Sequence, residues 1–276
     1  MAEISAGEVA KLRKITGAGL MDCREALTHS GGDFDGAIEF LRKKGQKIAN
    51  KRSDREAREG CVLAGVTPDG KRGVMVVLNC ETDFVAKNEE FVAFTTSILK
   101  VAIEKNPASL TDLLALPVGN VSISDAIASK IGAIGEKLEL SYYDKIEATQ
   151  VAFYIHAGNK IATLVGFNKN LTDNQVGKDV AMQVCAMSPV AIDKDDCPKE
   201  VVEKEIEIGR DLARQEGKPE AMLEKIAMGK LQKFFNESTL LNQEFVKDNT
   251  MNIRQYLQKS DKDLTVTAFR RFSLNA

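Results

Sequence analysis

The chain has 276 residues, of which 43% are hydrophobic. This number of apolar residues is more than one small hydrophobic core usually holds. Its 38 basic and 40 acidic residues leave a formal net charge of −2, so no overall field directs it toward nucleic acid or a membrane surface. The composition therefore predicts two or three globular modules and excludes a strongly basic nucleic-acid-binding chain.

No stretch has the unbroken apolar length of a signal peptide or a membrane span, and the acidic start, residues 1–5, leads directly into a helix signal. We therefore expect a cytoplasmic protein. An odd number of cysteines without a Cys-x-x-Cys pair, and only two histidines, predict buried free thiols and no metal or cofactor. The cysteines are Cys23, Cys61, Cys80, Cys185 and Cys197, and the histidines are His29 and His156.

The N-terminal region is predicted to form a compact three-helix unit. Ser5 and Glu8 have the spacing of a capping box, which indicates the start of the first helix. A second helix covers residues 20–28. A third begins at Asp33, and Gly45 is predicted to end it.

A basic linker is predicted to follow these helices. Residues 42–58 contain eight basic side chains and two acidic ones. A nucleic-acid site would need aromatic residues interleaved with the charges, and none are present in this run. The pattern therefore favours a solvated helical linker, without direct binding of nucleic acid.

From residue 60 the pattern becomes that of strands. Two apolar runs, residues 62–66 and 74–78, flank a turn at residues 68–70, and a helix is predicted to open at Asn88. A second hairpin recurs at residues 151–167, with a helix from Asp173. The repeated order predicts two related α+β subdomains. Between them we expect a helix at residues 124–134 and a strand at residues 138–142.

An acidic and an aromatic residue, Asp83 and Phe84, stand side by side where the first hairpin leads into its helix. A ring on a rigid turn can anchor a partner, because it buries much area at little entropic cost. The alternative is that Phe84 closes the core at the end of the strand. Spacing alone favours this alternative.

Beyond Cys197 two helical patterns are separated by Gly217 and Pro219, which predicts a helical hairpin. Gly217 is expected in a left-handed conformation and Pro219 at the first helical position. The apolar seams can pair with a second molecule to form a homodimer, or they can pack on the core. They are assigned to Val202, Ile206 and Leu212 in the first helix and to Met222, Leu223, Ile226, Ala227, Leu231 and Phe234 in the second. A final strand, residues 264–269, is predicted to return to the second sheet. The chain is thus predicted to divide into five parts. They are the three-helix unit with its basic linker (residues 1–54), the two α+β subdomains (55–147 and 148–198), the helical hairpin (199–235) and the return to the second sheet (236–276).

No catalytic set is recognisable, which favours a binding protein. Cys80 is a conceivable nucleophile with His156 as its base, but nothing in the sequence positions them together. Two alternative functions therefore remain open. One is an adaptor whose three-helix unit binds a ubiquitin-like or peptide partner, and the other is a cysteine hydrolase that uses Cys80.

Two motifs carry a resemblance to a known family. Residues 12–27 read LRKITGAGLMDCREAL, and residues 80–88 read CETDFVAKN. In this order, and together with the repeated hairpin and helix and the later helical hairpin, they closely resemble bacterial elongation factor Ts over nearly the whole chain. The resemblance implies a ubiquitin-associated-like (UBA-like) three-helix domain, a two-part core and a protruding antiparallel coiled coil.

The resemblance also implies a guanine-nucleotide exchange factor that helps GDP leave elongation factor Tu, without covalent catalysis. The residues that would enter beside the partner's nucleotide site are Thr82, Asp83, Phe84 and Val85. The residues that would grip its nucleotide-binding domain are Arg13, Leu20 and Met21. Further implied contacts are Ile131, His156 and Val246. Family members often continue into a C-terminal helix, whereas this sequence ends at Ala276, which predicts greater reliance on the three-helix unit and on residues 82–85.

Overall fold

The computed structural model describes residues 4–274, which combine helices with antiparallel sheets in an α+β fold. The acidic start, Met1, Ala2 and Glu3, and the last residues, Asn275 and Ala276, lie outside the described residues. The helices are α1 (Ala6–Thr16), α2 (Leu20–His29), α3 (Phe34–Lys51), α4 (Asp83–Ala86), α5 (Glu89–Lys105), α6 (Leu110–Ala115), α7 (Ile123–Ile134), α8 (Asn174–Met187), α9 (Lys199–Gln215), α10 (Glu220–Ser238) and α11 (Ile253–Ser260). The strands are β1 (Glu59–Val66), β2 (Arg72–Cys80), β3 (Pro117–Val118), β4 (Val121–Ser122), β5 (Leu138–Glu147), β6 (Gln150–Ile155), β7 (Ile161–Phe167), β8 (Glu244–Phe245), β9 (Asp248–Asn252) and β10 (Val266–Ser273).

Helices α1 and α3 begin with the capping interactions that the sequence predicts. The Ser5 hydroxyl oxygen accepts a hydrogen bond from the Glu8 amide (3.2 Å), and the Glu8 carboxylate accepts one from the Ser5 amide (2.8 Å). Asp33 caps α3 by accepting from the Gly36 amide at 2.8 Å. Each bond satisfies an N–H group that has no partner within its helix. The three helices enclose an apolar cluster that contains Val9, Leu12, Ala18, Cys23, Ala26, Leu27 and Ala37.

Helix α3 continues to Lys51, so the prediction that Gly45 ends it is wrong. At Gly45 this helix crosses α7, and a Cβ atom on Gly45 would lie 2.5 Å from the carbonyl oxygen of Ala128. A Cβ atom on Gly132 would lie 2.9 Å from the Gly45 Cα atom. Glycine therefore permits close contact between two helix backbones, and this packing outweighs the low helix propensity of glycine.

The first sheet has the strand order β1–β2–β5, with antiparallel neighbours. β1 and β2 form the predicted hairpin, in which Glu59 pairs with Cys80 and Val66 pairs with Gly73. Helix α5 begins after Asn88, as predicted, because the Asn88 side-chain oxygen accepts hydrogen bonds from two amides of its first turn. Helices α5 and α7 cover one face of this sheet with apolar side chains.

The second sheet has the order β6–β7–β10, so the last strand returns to it as predicted. Helix α8 begins after its predicted cap, Asp173, and packs with α11 on this sheet. The two sheets face each other across an apolar cluster that contains Val62, Ala64, Met75, Val77, Ile146, Val151, Ala162 and Leu164. Each sheet therefore has helices on one face and the other sheet on its opposite face.

Helices α9 and α10 lie antiparallel, and a Cβ atom on Gly209 would lie 3.0 Å from the Cα atom of Ala227. Gly217 between them is left-handed, as predicted, with φ of +71°. Pro219 is the cap of α10, so the prediction that it is the first helical residue is wrong by one position. None of the helices within residues 4–274 is long and apolar enough to cross a membrane.

The seam between α9 and α10 agrees with the predicted one only in part. Leu212 and Met222 are both exposed, so assigning them to the seam was wrong. Gly209 and Ala213 are buried in α9, and Leu223, Ala227 and Leu231, which the apolar pattern also assigns to the seam, are buried in α10. Because Gly209 and Ala227 are small, the two helix backbones approach closely where these residues meet.

Candidate partner-binding site

The segment that carries Asp83 and Phe84, called the tip here (residues 82–85), lies between the end of β2 and the start of α5. It is mostly the one-turn helix α4, where the sequence predicts a simple turn. Thr82 caps this helix, because its hydroxyl oxygen accepts a hydrogen bond from the Val85 amide at 3.4 Å. The tip therefore has a defined backbone conformation between two rigid elements.

Phe84 is 82% exposed, so the core position that spacing alone favours is wrong. The one-turn helix directs Ala86 into the core instead, where it joins the cluster that also contains Phe91. Val85 packs partly against the same cluster. Since these residues fill the space at the end of β2, the Phe84 ring faces solvent. An exposed ring of this size on a fixed turn is typical of an interaction anchor.

Asp83 is half-exposed and paired with a neighbour one helical turn away. The Lys87 ammonium donates a hydrogen bond to the Asp83 carboxylate at 2.6 Å. This bond, with the charges of Lys87 and Lys160, holds the pKa of Asp83 below its ordinary value. The tip therefore presents a carboxylate that stays ionised at neutral pH beside an exposed ring.

Two carboxylates hold the base of the tip. Glu136 accepts hydrogen bonds from the Thr82 amide (3.1 Å) and from the Thr82 hydroxyl (2.7 Å). Glu81 accepts from the Lys137 amide at 2.6 Å and from Arg52 and Arg55 at 2.9 and 3.1 Å. The Lys137 amide, followed by these guanidinium groups, lowers the pKa of Glu81, so this carboxylate stays ionised.

Sequence reasoning missed Glu136 and Glu81. Glu136 bonds to a residue 54 positions away, and Arg52 bonds to Glu81 across 29 positions. The basic run was predicted to be a solvated linker, yet Arg52 and Arg55 brace the tip. The only available signal was the presence of charged residues directly after the α7 helix and directly before Thr82, and this does not specify a pair.

The predicted contacts of the N-terminal unit are exposed. Met21 is 74% exposed and Leu20 is 49% exposed, and Arg13 also faces solvent. A cavity of about 310 Å³ is lined by Gly17 from the loop between α1 and α2 and by Phe84 from the tip. The fold therefore brings the N-terminal contact region next to the tip, although about 60 residues separate them in sequence.

His156 lies in the exposed turn between β6 and β7, and its Nδ1 atom lies 3.2 Å from the Tyr154 hydroxyl. Lys160, at the end of the same turn, forms an ion pair of 2.9 Å with Glu59. Glu59 in turn pairs with Cys80, which lies two residues before the tip. The fold therefore brings this turn to the same end of the molecule as the tip.

The remaining two predicted contacts differ from each other. Ile131 is 5% exposed and packs in the cluster beneath the first sheet, so little of its side chain is open to a partner, and its contact stays a prediction. Its position on α7 explains this, because that face of the helix covers the sheet. Val246 is half-exposed in the turn after β8, where its amide donates to the Gln183 side chain at 3.0 Å.

Cys80 does not have the properties of a nucleophile. All five cysteines are free and buried, as predicted, and burial raises the pKa of the Cys80 thiol to about 12. The thiol donates a weak hydrogen bond to the Thr82 carbonyl oxygen at 3.2 Å. Since the thiolate is the reactive form, this environment argues against the hydrolase alternative.

Exposed apolar side chains on rigid elements place the chain in the class of protein-binding factors. The model of the family described as "Elongation factor TS" matches residues 81–276. The chain is 50% identical to elongation factor Ts of Porphyromonas gingivalis over 270 residues, covering 98% of this chain and 97% of that one. It is also 50% identical to elongation factor Ts of Cytophaga hutchinsonii over 278 residues, which cover all of both chains. Its identity to elongation factor Ts of Christiangramia forsetii is 48% over 275 residues, which cover 99% of this chain and all of the relative. The chain belongs to the elongation factor Ts family.

Family membership defines the general function. The chain is a nucleotide exchange factor for elongation factor Tu in translation elongation. An exchange factor changes the affinity of its partner for a nucleotide and makes no covalent bond. The question for this fold is therefore which of its exposed residues loosen the nucleotide.

Proposed function

We propose that the tip enters beside the nucleotide site of elongation factor Tu and promotes the release of GDP. The observation that carries this proposal is the exposure of Phe84, 82%, on a one-turn helix capped by Thr82. A ring with a fixed backbone inserts between partner elements without first losing conformational freedom. Phe84 would act as the wedge.

Asp83 would supply the electrostatic part of the same action. Its ion pair with Lys87 keeps the carboxylate ionised, and the side chain is only half-buried. A carboxylate near a magnesium–phosphate site repels the phosphates and competes for groups that hold the metal. The two adjacent side chains would thus weaken nucleotide binding by two different physical effects.

The energetic requirement is that the chain binds nucleotide-free partner better than loaded partner. Linkage then makes the effect mutual: the chain weakens GDP binding as much as GDP weakens binding of the chain. A coupling free energy of about 1–3 kcal/mol is typical of such effects. Displacing a tightly held nucleotide requires the upper part of this range or more, so contacts away from the tip must contribute.

Arg13, Leu20 and Met21 are the proposed grip on the partner's nucleotide-binding domain. Support comes from their exposure and from the cavity that Gly17 shares with Phe84. His156 and Val246 remain proposed contacts with another part of the partner, as does Ile131, although its burial leaves little of its side chain open to one.

The division into functional units remains a proposal that the packing supports. Residues 1–54 would be a UBA-like unit, residues 55–147 and 148–198 two core subdomains, residues 199–235 a protruding coiled coil, and residues 236–276 the return to the second sheet. The separate apolar cluster of the first three helices supports the first boundary. A homodimer through α9 and α10 stays a prediction, as does a cytoplasmic location, where translation takes place.

The test adds a sub-stoichiometric amount of the chain to elongation factor Tu loaded with fluorescent GDP, in excess GTP, and follows release. Phe84→Ala and Asp83→Ala are compared with the unchanged chain, and Phe153→Ala, which removes another exposed ring, is the matched control. If Phe84 is a hot spot, its removal costs about 2 kcal/mol, or roughly 30-fold in rate. Equal release by all four proteins would contradict the role of the tip.

A further inference from the structure

Residues 81–82 and 136–137 hold each other through two reciprocal hydrogen bonds. The Glu136 carboxylate accepts from the Thr82 amide at 3.1 Å, and the Glu81 carboxylate accepts from the Lys137 amide at 2.6 Å. Each segment thus supplies one carboxylate and one backbone N–H group. We call this arrangement of Glu81, Thr82, Glu136 and Lys137 the latch.

The Thr82 hydroxyl is used twice in the latch. It donates to Glu136 at 2.7 Å, and its oxygen accepts from the Val85 amide at 3.4 Å. A hydroxyl has one hydrogen, so donation to Glu136 leaves its lone pairs free for the Val85 amide. Glu136 therefore orients the atom that caps α4, and through it the helical turn that carries Asp83 and Phe84.

The segment that follows α3 also makes contacts with the latch. Arg52 and Arg55, which follow α3, neutralise Glu81 at 2.9 and 3.1 Å. The Lys137 ammonium donates to the Ser53 carbonyl oxygen at 3.0 Å. The side chains of Arg52, Arg55 and Lys137 thus connect the latch to the segment that follows α3. Hydrogen bonds to charged groups are stronger than neutral ones, so the arrangement resists displacement.

We propose that Glu136 is a positioning residue for nucleotide release: it holds Thr82 and thereby fixes the direction in which Phe84 and Asp83 project. This inference rests on the proposed function of the tip. Glu136 is not assigned any contact with the partner. Its loss is therefore expected to reduce the maximal rate of GDP release more than it reduces the affinity for elongation factor Tu, because the partner-gripping residues are unchanged.

The first measurement uses the free protein and does not depend on the partner. Amide hydrogen exchange of Thr82 and Val85 is compared in the unchanged chain, in Glu136→Ala and in Glu139→Ala. Glu139 is the matched control, because it contacts the Lys137 ammonium at 3.0 Å but makes no bond to Thr82. Loss of a charged acceptor is expected to speed exchange of the two tip amides about tenfold in Glu136→Ala alone. Unchanged amides of Val74–Leu78, within β2, would show that the fold is intact.

The second measurement determines the maximal release rate and the half-saturating concentration of each variant with elongation factor Tu and fluorescent GDP. Glu136→Ala is expected to lower the maximal rate about tenfold, with less than a threefold change in half-saturating concentration. Thr82→Val should reproduce the loss, because it removes the hydroxyl at nearly constant shape.

The results separate the inference from the proposed function. Equal maximal rates for Glu136→Ala and Glu139→Ala would overturn the inference, as would tip amides that stay protected in Glu136→Ala. The proposed function is judged separately by Phe84→Ala, whose outcome does not alter the amide exchange of the free protein. A slower rate together with freed tip amides, in Glu136→Ala but not in Glu139→Ala, supports the positioning role.

Discussion

Gly45 and Gly132 lie in contact where α3 crosses α7, so that a Cβ atom on Gly132 would stand 2.9 Å from the Cα atom of Gly45. This crossing joins the N-terminal helices to the core that supports the tip. Gln46, beside Gly45, donates a hydrogen bond to Asp125 of α7 at 3.1 Å, which reinforces the same contact. The position of the N-terminal helices relative to Phe84 therefore depends on Gly45 and Gly132, two residues without side chains.

Gly45→Ala is expected to destabilise the chain by about 1–3 kcal/mol, because the added methyl group would meet a backbone carbonyl that cannot move easily. Chemical denaturation measures the change. The control is Gly229→Ala within α10, where a Cβ atom would meet nothing within 4 Å. That variant should be up to about 1 kcal/mol more stable, because alanine has the higher helix propensity. If both variants are stabilised, the close crossing does not exist as described.

Phe84→Ala is expected to slow GDP release while changing stability by less than about 0.5 kcal/mol, because the ring is exposed. Phe91→Ala, at a buried ring in the same region, should cost about 3–5 kcal/mol of stability. Denaturation midpoints and release rates are measured on both variants. A large stability loss in Phe84→Ala would mean that this ring is part of the core in solution.

Lys87→Gln is expected to raise the pKa of Asp83 toward its ordinary value, since the Lys87 hydrogen bond is the main cause of the lowered pKa. Because the folded pKa lies below the unfolded one, the ion pair contributes stability above the unfolded pKa. That contribution is lost as the pH falls through the folded pKa. Carbon-13 NMR of the carboxyl group measures the midpoint.

The control for this titration is Lys43→Gln, which removes the partner of Glu39 in α3. It should raise the pKa of Glu39, which Lys43 lowers in the same way, and leave the titration of Asp83 unchanged. An Asp83 midpoint that is identical with and without Lys87 would show that the pair does not persist in solution.

Cys80 is expected to resist thiol reagents in the folded chain, because a pKa of about 12 leaves almost no thiolate at pH 8. Peptide mass spectrometry after brief treatment measures its modification, and the unfolded chain, in which every cysteine should react, is the control. Rapid labelling of Cys80 in the folded chain would reopen the hydrolase alternative.

Local sequence determined much of this fold. The capping box of Ser5 and Glu8, the cap at Asn88 and the left-handed Gly217 were all predictable, because each depends on atoms within a few residues of one another. Apolar periodicity likewise predicted both hairpins and the helices that follow them. The two motifs predicted family membership, which the comparisons confirm.

At some positions the local sequence pattern is compatible with two structures, and the tertiary structure determined which of the two forms. Gly45 is compatible with the end of a helix or with a close helix crossing, and Phe84 with a buried or an exposed position. The presence of α7 at Gly45, and of Ala86 and Phe91 at the end of β2, selected the outcome in each case. The bonds from Glu136 to Thr82 join residues 54 positions apart, so they exist only once the chain has folded. Packing and long-range hydrogen bonds depend on which surfaces the topology brings together, and this information is not local.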